Sequence, residues 1–214
     1  MINVLELFSG TGSVGKVCDK LGWNSVSVDL IADADHKVDI MEFDYKQYPK
    51  DYFQVVWASP PCTNYSKLQD SWLGRMRKGE IYTREIQEKE MNQDDKLVLK
   101  ALEIIDYFRP DLWFIENPSS SRMKDRSFMK DIPFYLVDYC MYSDWGYRKR
   151  TRIWTNKKEF FPKLCDKNCG NMIGNLHKTN LGNSERREKT KGSATSQNDR
   201  YRIPEDLIIS LFTD

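Results

Sequence analysis

Long apolar runs are missing from this 214-residue chain. No stretch approaches the roughly 20 apolar residues that cross a bilayer, so no membrane partner is expected. The start, Met1-Ile2-Asn3, has neither the basic region nor the apolar core of a signal peptide. Cysteine is sparse and odd in number, five at irregular spacing, which argues against a disulfide framework and for a reducing compartment. Net charge is nearly absent at +1, yet residues 146–192 carry 13 Lys/Arg against 4 Asp/Glu. A basic C-terminal third on an acidic remainder suggests a polyanionic partner docked in one place. A solvated basic face would explain the same charge. What is present, 40% hydrophobic and 30% charged residues, suits a soluble globular chain with one good core and a small appendage at most.

The stretch around which the chain is organised is Trp57 to Ser66. The apolar run Phe53 to Ala58 predicts a buried strand that stops at Pro60-Pro61. Cys62 follows at the strand's C-terminal edge, where open α/β sheets bind ligands. Free cysteines are usually small buried hydrophobes, but two prolines before it and Thr63-Asn64-Tyr65-Ser66 after it describe a stiff, partly polar loop.

The N-terminal part predicts a nucleoside-cofactor turn. Asn3 to Phe8 forms a strand; Gly10, Gly12 and Gly15 then fit G-x-G-x-x-G; Val14, Val17, Cys18 and Leu21 mark a helix closed by Gly22. A second strand, Ser25 to Val28, ends in Asp29, near where a carboxylate meets a ribose diol. The motif leaves open a dinucleotide or S-adenosylmethionine; only the first has a pyrophosphate. Asp39 suits an adenine amino group or a turn cap, and the residues alone favour the cap.

Farther along, residues 67–96 lack an apolar period and hold Lys67, Arg75, Arg77, Lys78 and Arg84, which predicts a mobile basic loop able to close over a polyanion. Asp94 to Phe108 is an amphipathic helix stopped by Arg109-Pro110. Leu112 to Ile115 is a buried strand ending in Glu116-Asn117-Pro118, a carboxylate at a strand's C-terminal edge. Phe134 to Met141 and Arg152 to Thr155 are further strands, with Arg148, Arg150 and Arg152 projecting to one face as an anion-binding stripe or a solvated edge. In the apolar-poor stretch 157–195, Cys165, Cys169 and His177 lack a clear fourth ligand, so they are read as loop residues and no metal is assigned. Tyr201 to Leu207 opens a short helix, and Leu207, Ile208 and Leu211 pack it back on the core.

Taken together, Phe8-x-Gly10-x-Gly12, Asp29, Asp39, Pro61-Cys62, Glu116-Asn117 and Arg150-x-Arg152 resemble, in order, the cytosine 5-methyltransferase family. Pro61-Cys62-Thr63-Asn64-Tyr65-Ser66 looks like its Pro-Cys-Gln-x-x-Ser loop, with Thr63 in place of Gln; Glu116-Asn117-Pro118 is similar to Glu-Asn-Val, and Arg148 to Arg152 to Gln-x-Arg-x-Arg. The resemblance implies an α/β, Rossmann-like S-adenosylmethionine-dependent methyltransferase sheet with helices on both faces. It also implies three parts: a catalytic core over 1–156, a short basic target-recognition segment over 157–195, and a C-terminal helix over 196–214 returning to the core. Cys62 would be the nucleophile, Glu116 would hold the cytosine edge, and Arg150 and Arg152 would hold the base carbonyl and help position Cys62. Phe8, Gly10, Thr11, Gly12, Ser13, Asp29, Asp39 and Pro61 would line the S-adenosylmethionine site. The implied substrate is double-stranded DNA with the target base flipped out, in the cytoplasm of a bacterial, phage or viral setting or in a eukaryotic nucleus.

Two features depart from the family pattern. The recognition segment is short, which implies a short site or weak sequence preference. The late Gly-Asn-Ser-Val motif is not preserved: Ser193 to Gln197 resembles its approach, Arg202-Ile203-Pro204 stands at its end, and Gly182-Asn183-Ser184 falls in the wrong place. Rival expectations are a transfer-RNA cytosine methyltransferase, which Ser59-Pro60-Pro61-Cys62 also resembles, and a silent nucleic-acid-binding module. An NAD-dependent dehydrogenase leaves Cys62 and Glu116 without a task, and an amino-group methyltransferase would want an aromatic where Cys62 stands.

Overall fold

The computed structural model describes residues 1–179, 181 and 195–213. Gly182-Asn183-Ser184, Ser193-Ala194 and the basic residues between them lie outside the described residues. Seven strands form one sheet: β1 (Asn3–Leu7), β2 (Asn24–Asp29), β3 (His36–Lys37), β4 (Val55–Ala58), β5 (Leu112–Pro118), β6 (Phe134–Asp138) and β7 (Arg150–Thr155). Their order across the sheet is β3-β2-β1-β4-β5-β7-β6. From β3 to β5 every pairing is parallel, and β7 runs antiparallel to both β5 and β6. The chain moves outward from β1 to β3 and then returns to the other side of β1 as β4. That reversal puts the sheet's topological switch point at the C-terminal ends of β1 and β4, the place where such sheets bind ligands.

Alternation along the strands builds a core on each face. Leu5, Leu7, Val56, Ala58 and Ile115 pack against Val98, Ala101, Ile104 and Phe108 of helix α2 (Arg84–Phe108, after α1, Ser13–Leu21). Val4, Trp57, Phe114 and Ile153 face the opposite way, onto Val14, Val17 and Cys18 of α1. After the short helix α3 (Gln197–Tyr201), α4 (Glu205–Thr213) completes that layer with Leu207, Ile208, Leu211 and Phe212. Each such side chain contributes roughly 1.5–3 kcal/mol on burial, which is why the C-terminal residues return to the core as their spacing predicts. Gly22, at φ 69°, ends α1, and Arg109, at φ 47° before Pro110, ends α2.

The segment expected to be a mobile basic loop is built differently. Its second half is helical, because α2 starts at Arg84 after the N-cap Thr83 rather than at Asp94. Two carboxylates take up most of the cations: Asp70 accepts from Arg84 and Arg122, and Glu90 from Arg77 and Lys78. The apolar period is weak there because ion pairs cover this half of the helix.

Glu6 is the buried exception in β1. It shares the α1 face with Val4, and its carboxylate accepts the N–H groups of Val14 at 3.1 Å and Gly15 at 3.0 Å. Burial raises its pKa to about 7 from an ordinary 4.5, with the two N–H bonds opposing. The folded state thus holds this proton more tightly than the unfolded chain. Stability from it is complete below the ordinary value and is lost as pH rises toward 7. Thermal melts of wild type and Glu6→Gln at pH 4 to 8 should show wild type losing ground to the variant across that window, by on the order of 3 kcal/mol. A pH-independent difference would contradict the assignment.

Candidate active site

The turn after β1 is held in an unusual backbone shape. Phe8, Gly10 and Gly12 have φ values of 58°, 49° and 63°. For glycine this is free of strain, but for Phe8 it is an outlier of the kind concentrated at functional sites. Gly12 N–H closes the turn on the Ser9 carbonyl at 2.8 Å, and Asp29 Oδ2 accepts the Gly10 N–H at 2.9 Å. Asp29 Oδ1 accepts from Ile31 and Ala32, so this carboxylate shapes the cradle wall. Asp39 accepts the Met41 N–H at 2.9 Å, the turn-capping role that its residue type alone favours. Ser13 Oγ lies 2.9 Å from Thr11 Oγ1 and accepts the Ile203 N–H at 3.1 Å, seating the C-terminal segment against the turn.

Glu6 decides what this turn can hold. A dinucleotide fingerprint offers the free N–H groups of its helix start to a pyrophosphate. Here a carboxylate already occupies the Val14 and Gly15 N–H groups. The site fits a nucleoside ligand without a pyrophosphate, which removes the reason to expect a nicotinamide dinucleotide.

At the end of β4 the loop carrying Cys62 is fastened from three sides. Asn117 Nδ2, at the end of β5, donates to the Pro60 carbonyl at 2.9 Å. On α2, Asp94 Oδ1 accepts from Asn64 at 3.1 Å, and Asp95 Oδ1 accepts from the hydroxyl of fully buried Tyr65 at 2.7 Å. From below, buried Gln69 donates to the Thr63 carbonyl at 2.9 Å. Thr63 stands where a glutamine was expected, and a glutamine from the next turn supports it.

Cys62 itself is half-buried. Burial pushes its thiol above the ordinary range, the Glu116 carboxylate adds to the shift, and the Lys149 ammonium opposes it. Glu116 and Lys149 are 6% and 7% exposed and form an ion pair at 3.3 Å. The Tyr139 hydroxyl donates to the same Glu116 oxygen, Oε1, at 2.9 Å. Lys149 also donates to the Arg200 carbonyl at 3.0 Å and lies over the Tyr139 ring.

The partner of Glu116 is thus Lys149 and not one of the neighbouring arginines. In the antiparallel register Glu116 lies opposite Ile153, and Asn117 opposite Arg152. Residues directly opposite share a face, so Glu116 shares its face with Thr151 and Ile153, while Arg150 and Arg152 point the other way. Lys149 has the parity that reaches Glu116. Arg148 and Arg150 both donate to Asp138, Arg150 through two nitrogens. Arg152 stacks over Phe134, and its buried Nε has no hydrogen-bond partner among the described residues. Arg152 shares the Asn117 face, the side from which the Cys62 loop is held. Elsewhere, Cys165, Cys169 and His177 meet Cys140, the fourth donor that their spacing alone did not reveal.

Comparison with known proteins places these features in context. No family model matches the chain. It is 41% identical over 222 aligned positions, 98% of each protein, to the "Probable DNA (cytosine-5)-methyltransferase" of Frog virus 3 (isolate Goorha). Among solved structures, a methyltransferase of Entamoeba histolytica superposes with a TM-score of 0.52 at 17% identity, covering 77% of this chain and 56% of its own; that likeness concerns the fold.

If Lys149 acts on Cys62, iodoacetamide labelling of the Cys62 peptide, followed by mass spectrometry against pH, should have its midpoint above an ordinary thiol's. Lys149→Met should move it higher still. A profile at or below the ordinary range, or one indifferent to Lys149, would contradict this electrostatic picture.

Proposed function

The chain belongs to the DNA (cytosine-5)-methyltransferase family, and from that premise we propose that it methylates carbon 5 of cytosine in double-stranded DNA with Cys62 as nucleophile. The observation that carries this reading is a proline-held thiol beside a buried carboxylate–ammonium pair, at the C-terminal edge of a parallel sheet. Carbon 5 of cytosine is a poor nucleophile. A thiolate that adds at carbon 6 makes it an enamine-like carbon. S-adenosylmethionine, when bound, supplies the electrophilic methyl group. The residues fit that donor: Gly10 and Gly12 let the backbone approach, and Glu6 fills the helix N–H groups that a pyrophosphate would need. Phe8, Thr11, Ser13, Asp29, Asp39 and Pro61 complete the proposed lining.

Each protein group then has a task. Glu116, with Oε1 held by Tyr139 and Lys149, accepts from the exocyclic amine of the base. The ring nitrogen takes a proton from solvent as sulfur adds, donates that N–H to the carboxylate, and gives the proton up again when sulfur leaves. The thiol proton leaves for solvent as the sulfur–carbon bond forms. Arg152, whose buried Nε has no partner among the described residues, takes the base carbonyl, and Arg150, committed to Asp138, is a positioning residue. After methyl transfer the carbon-5 proton leaves, the sulfur–carbon bond breaks, and its electron pair returns to Cys62 sulfur. Because stacked bases hide carbon 6, the cytosine is drawn out of the duplex. The basic stretch 157–195 is proposed as a short target-recognition segment, and its few side chains imply a short recognition sequence.

Tritium transfer from labelled S-adenosylmethionine to duplex DNA tests these roles. Cys62→Ala should lose at least about 10³-fold in rate, and Glu116→Gln about 10²-fold. Undiminished methylation by Cys62→Ala would eliminate the mechanism. Transfer to transfer RNA but not to DNA would move the substrate to the RNA branch.

A further inference from the structure

Outside the Cys62 site, one cluster combines residue types that rarely meet by chance. We propose that Cys140, Cys165, Cys169 and His177 bind a structural zinc ion that fastens the 157–179 segment to the core. Their three Sγ atoms and the histidine ring nitrogen lie within 4.8 Å of one another. His177 Nε2 is 3.6 Å from Cys165 Sγ and 3.4 Å from Cys169 Sγ. Tetrahedral zinc with bonds of about 2.3 Å to sulfur and about 2.05 Å to nitrogen sets adjacent S and N ligands about 3.5 Å apart. The two histidine–sulfur distances already have that length, and a small inward movement brings the wider pairs into place.

The donor set selects the metal class. Three thiolates and an imidazole are soft and borderline ligands, suited to zinc rather than to magnesium or calcium. Four protein donors leave no open position for water or substrate, so the site is structural. On binding, each cysteine that arrives as a thiol releases its proton and the imidazole binds neutral. The Lys167 N–H already points at Cys165 Sγ at 3.4 Å, a bond that a thiolate accepts well.

Placement explains why a metal is needed there. Cys140 belongs to the core, in the turn Tyr139–Met141 after β6, whereas the other three donors lie in the apolar-poor segment. Between residues 157 and 179 the buried residues are Phe160, Cys165 and Asn171. So little apolar burial cannot order a segment of this length, and small units of this kind use disulfides or metals instead. Asn171 supports the same junction by donating to the Cys140 and Ser143 carbonyls at 2.9 and 2.7 Å. The Cys165 N–H donates to Asp138 Oδ2 at 2.8 Å, and Asp138 is the carboxylate that holds Arg148 and Arg150. The ion thus sets the position of a basic segment relative to the arginines of β7. It also accounts for the cysteines: Cys18 is a core hydrophobe, Cys62 lies in the loop, and the remaining three are ligands.

Elemental analysis of the full-length protein, purified with a non-thiol reductant and without chelator, should find about one zinc per chain. Cys140→Ser, Cys165→Ser and His177→Ala should each retain at least about tenfold less after dialysis, and Cys62→Ser should keep the full amount. Should those variants precipitate, wild type stripped of metal and reloaded with cobalt(II) should show the visible bands and thiolate charge-transfer absorption of a tetrahedral sulfur-rich site. A wild type that holds neither zinc nor cobalt would overturn the proposal. So would variants that keep the metal as wild type does. Neither readout depends on methyl transfer.

Discussion

The site depends on one constraint of topology: β1, β4 and β5 run parallel and side by side, so their C-terminal ends reach the same edge of the sheet. Three different loops leave that edge. The first carries the glycine turn, the second Cys62, and the third follows Glu116-Asn117-Pro118, the last residues of β5. The bond from Asn117 to the Pro60 carbonyl ties the second to the third, and the Ser59 N–H bonds to the Leu7 carbonyl, tying the second to the first. The thiol is therefore positioned by the sheet itself, with α2 adding Asp94 and Asp95 as anchors from one face. A loop fixed in this way loses little entropy when a base arrives, which favours precise attack.

Electrostatics at that edge pull in opposing directions. Burial and Glu116 hold the Cys62 thiol protonated, while Lys149 moderates both effects. A resting thiol is protected from adventitious oxidation, because the thiolate is the reactive form. In the proposed mechanism a bound cytosine changes this balance, since its exocyclic amine donates to the Glu116 carboxylate and its ring spreads the charge that the sulfur delivers. Lys149 is buried and paired, and removing either partner would leave an uncompensated charge.

Much of this was legible in the sequence, and the gaps have physical causes. The glycine turn, the buried strands, Cys62 at a strand end and the returning C-terminal helix follow from local pattern and spacing. Lys149 was not legible, because finding the residue that pairs with Glu116 requires knowing which face of β7 meets it. A one-residue difference in parity reverses that answer, and only the register with β5 supplies it. Glu6 looked like one residue of a strand; its role appears when β1 and α1 pack together. Cys140 was hidden for a similar reason, because it belongs to a core turn far along the chain from the Cys165–His177 stretch. The N-terminal half of α2 shows no apolar period because ion pairs, not apolar contacts, cover it.

The central claim is that Cys62 sulfur bonds to carbon 6 of the target cytosine. Duplex DNA bearing 5-fluorocytosine tests it most directly, since fluorine cannot leave carbon 5 as the proton does and the adduct persists. The account predicts that incubation with S-adenosylmethionine yields a protein–DNA covalent complex whose peptide map places the linkage on Cys62. A complex linked through another residue, or none from protein that methylates ordinary DNA, would contradict it.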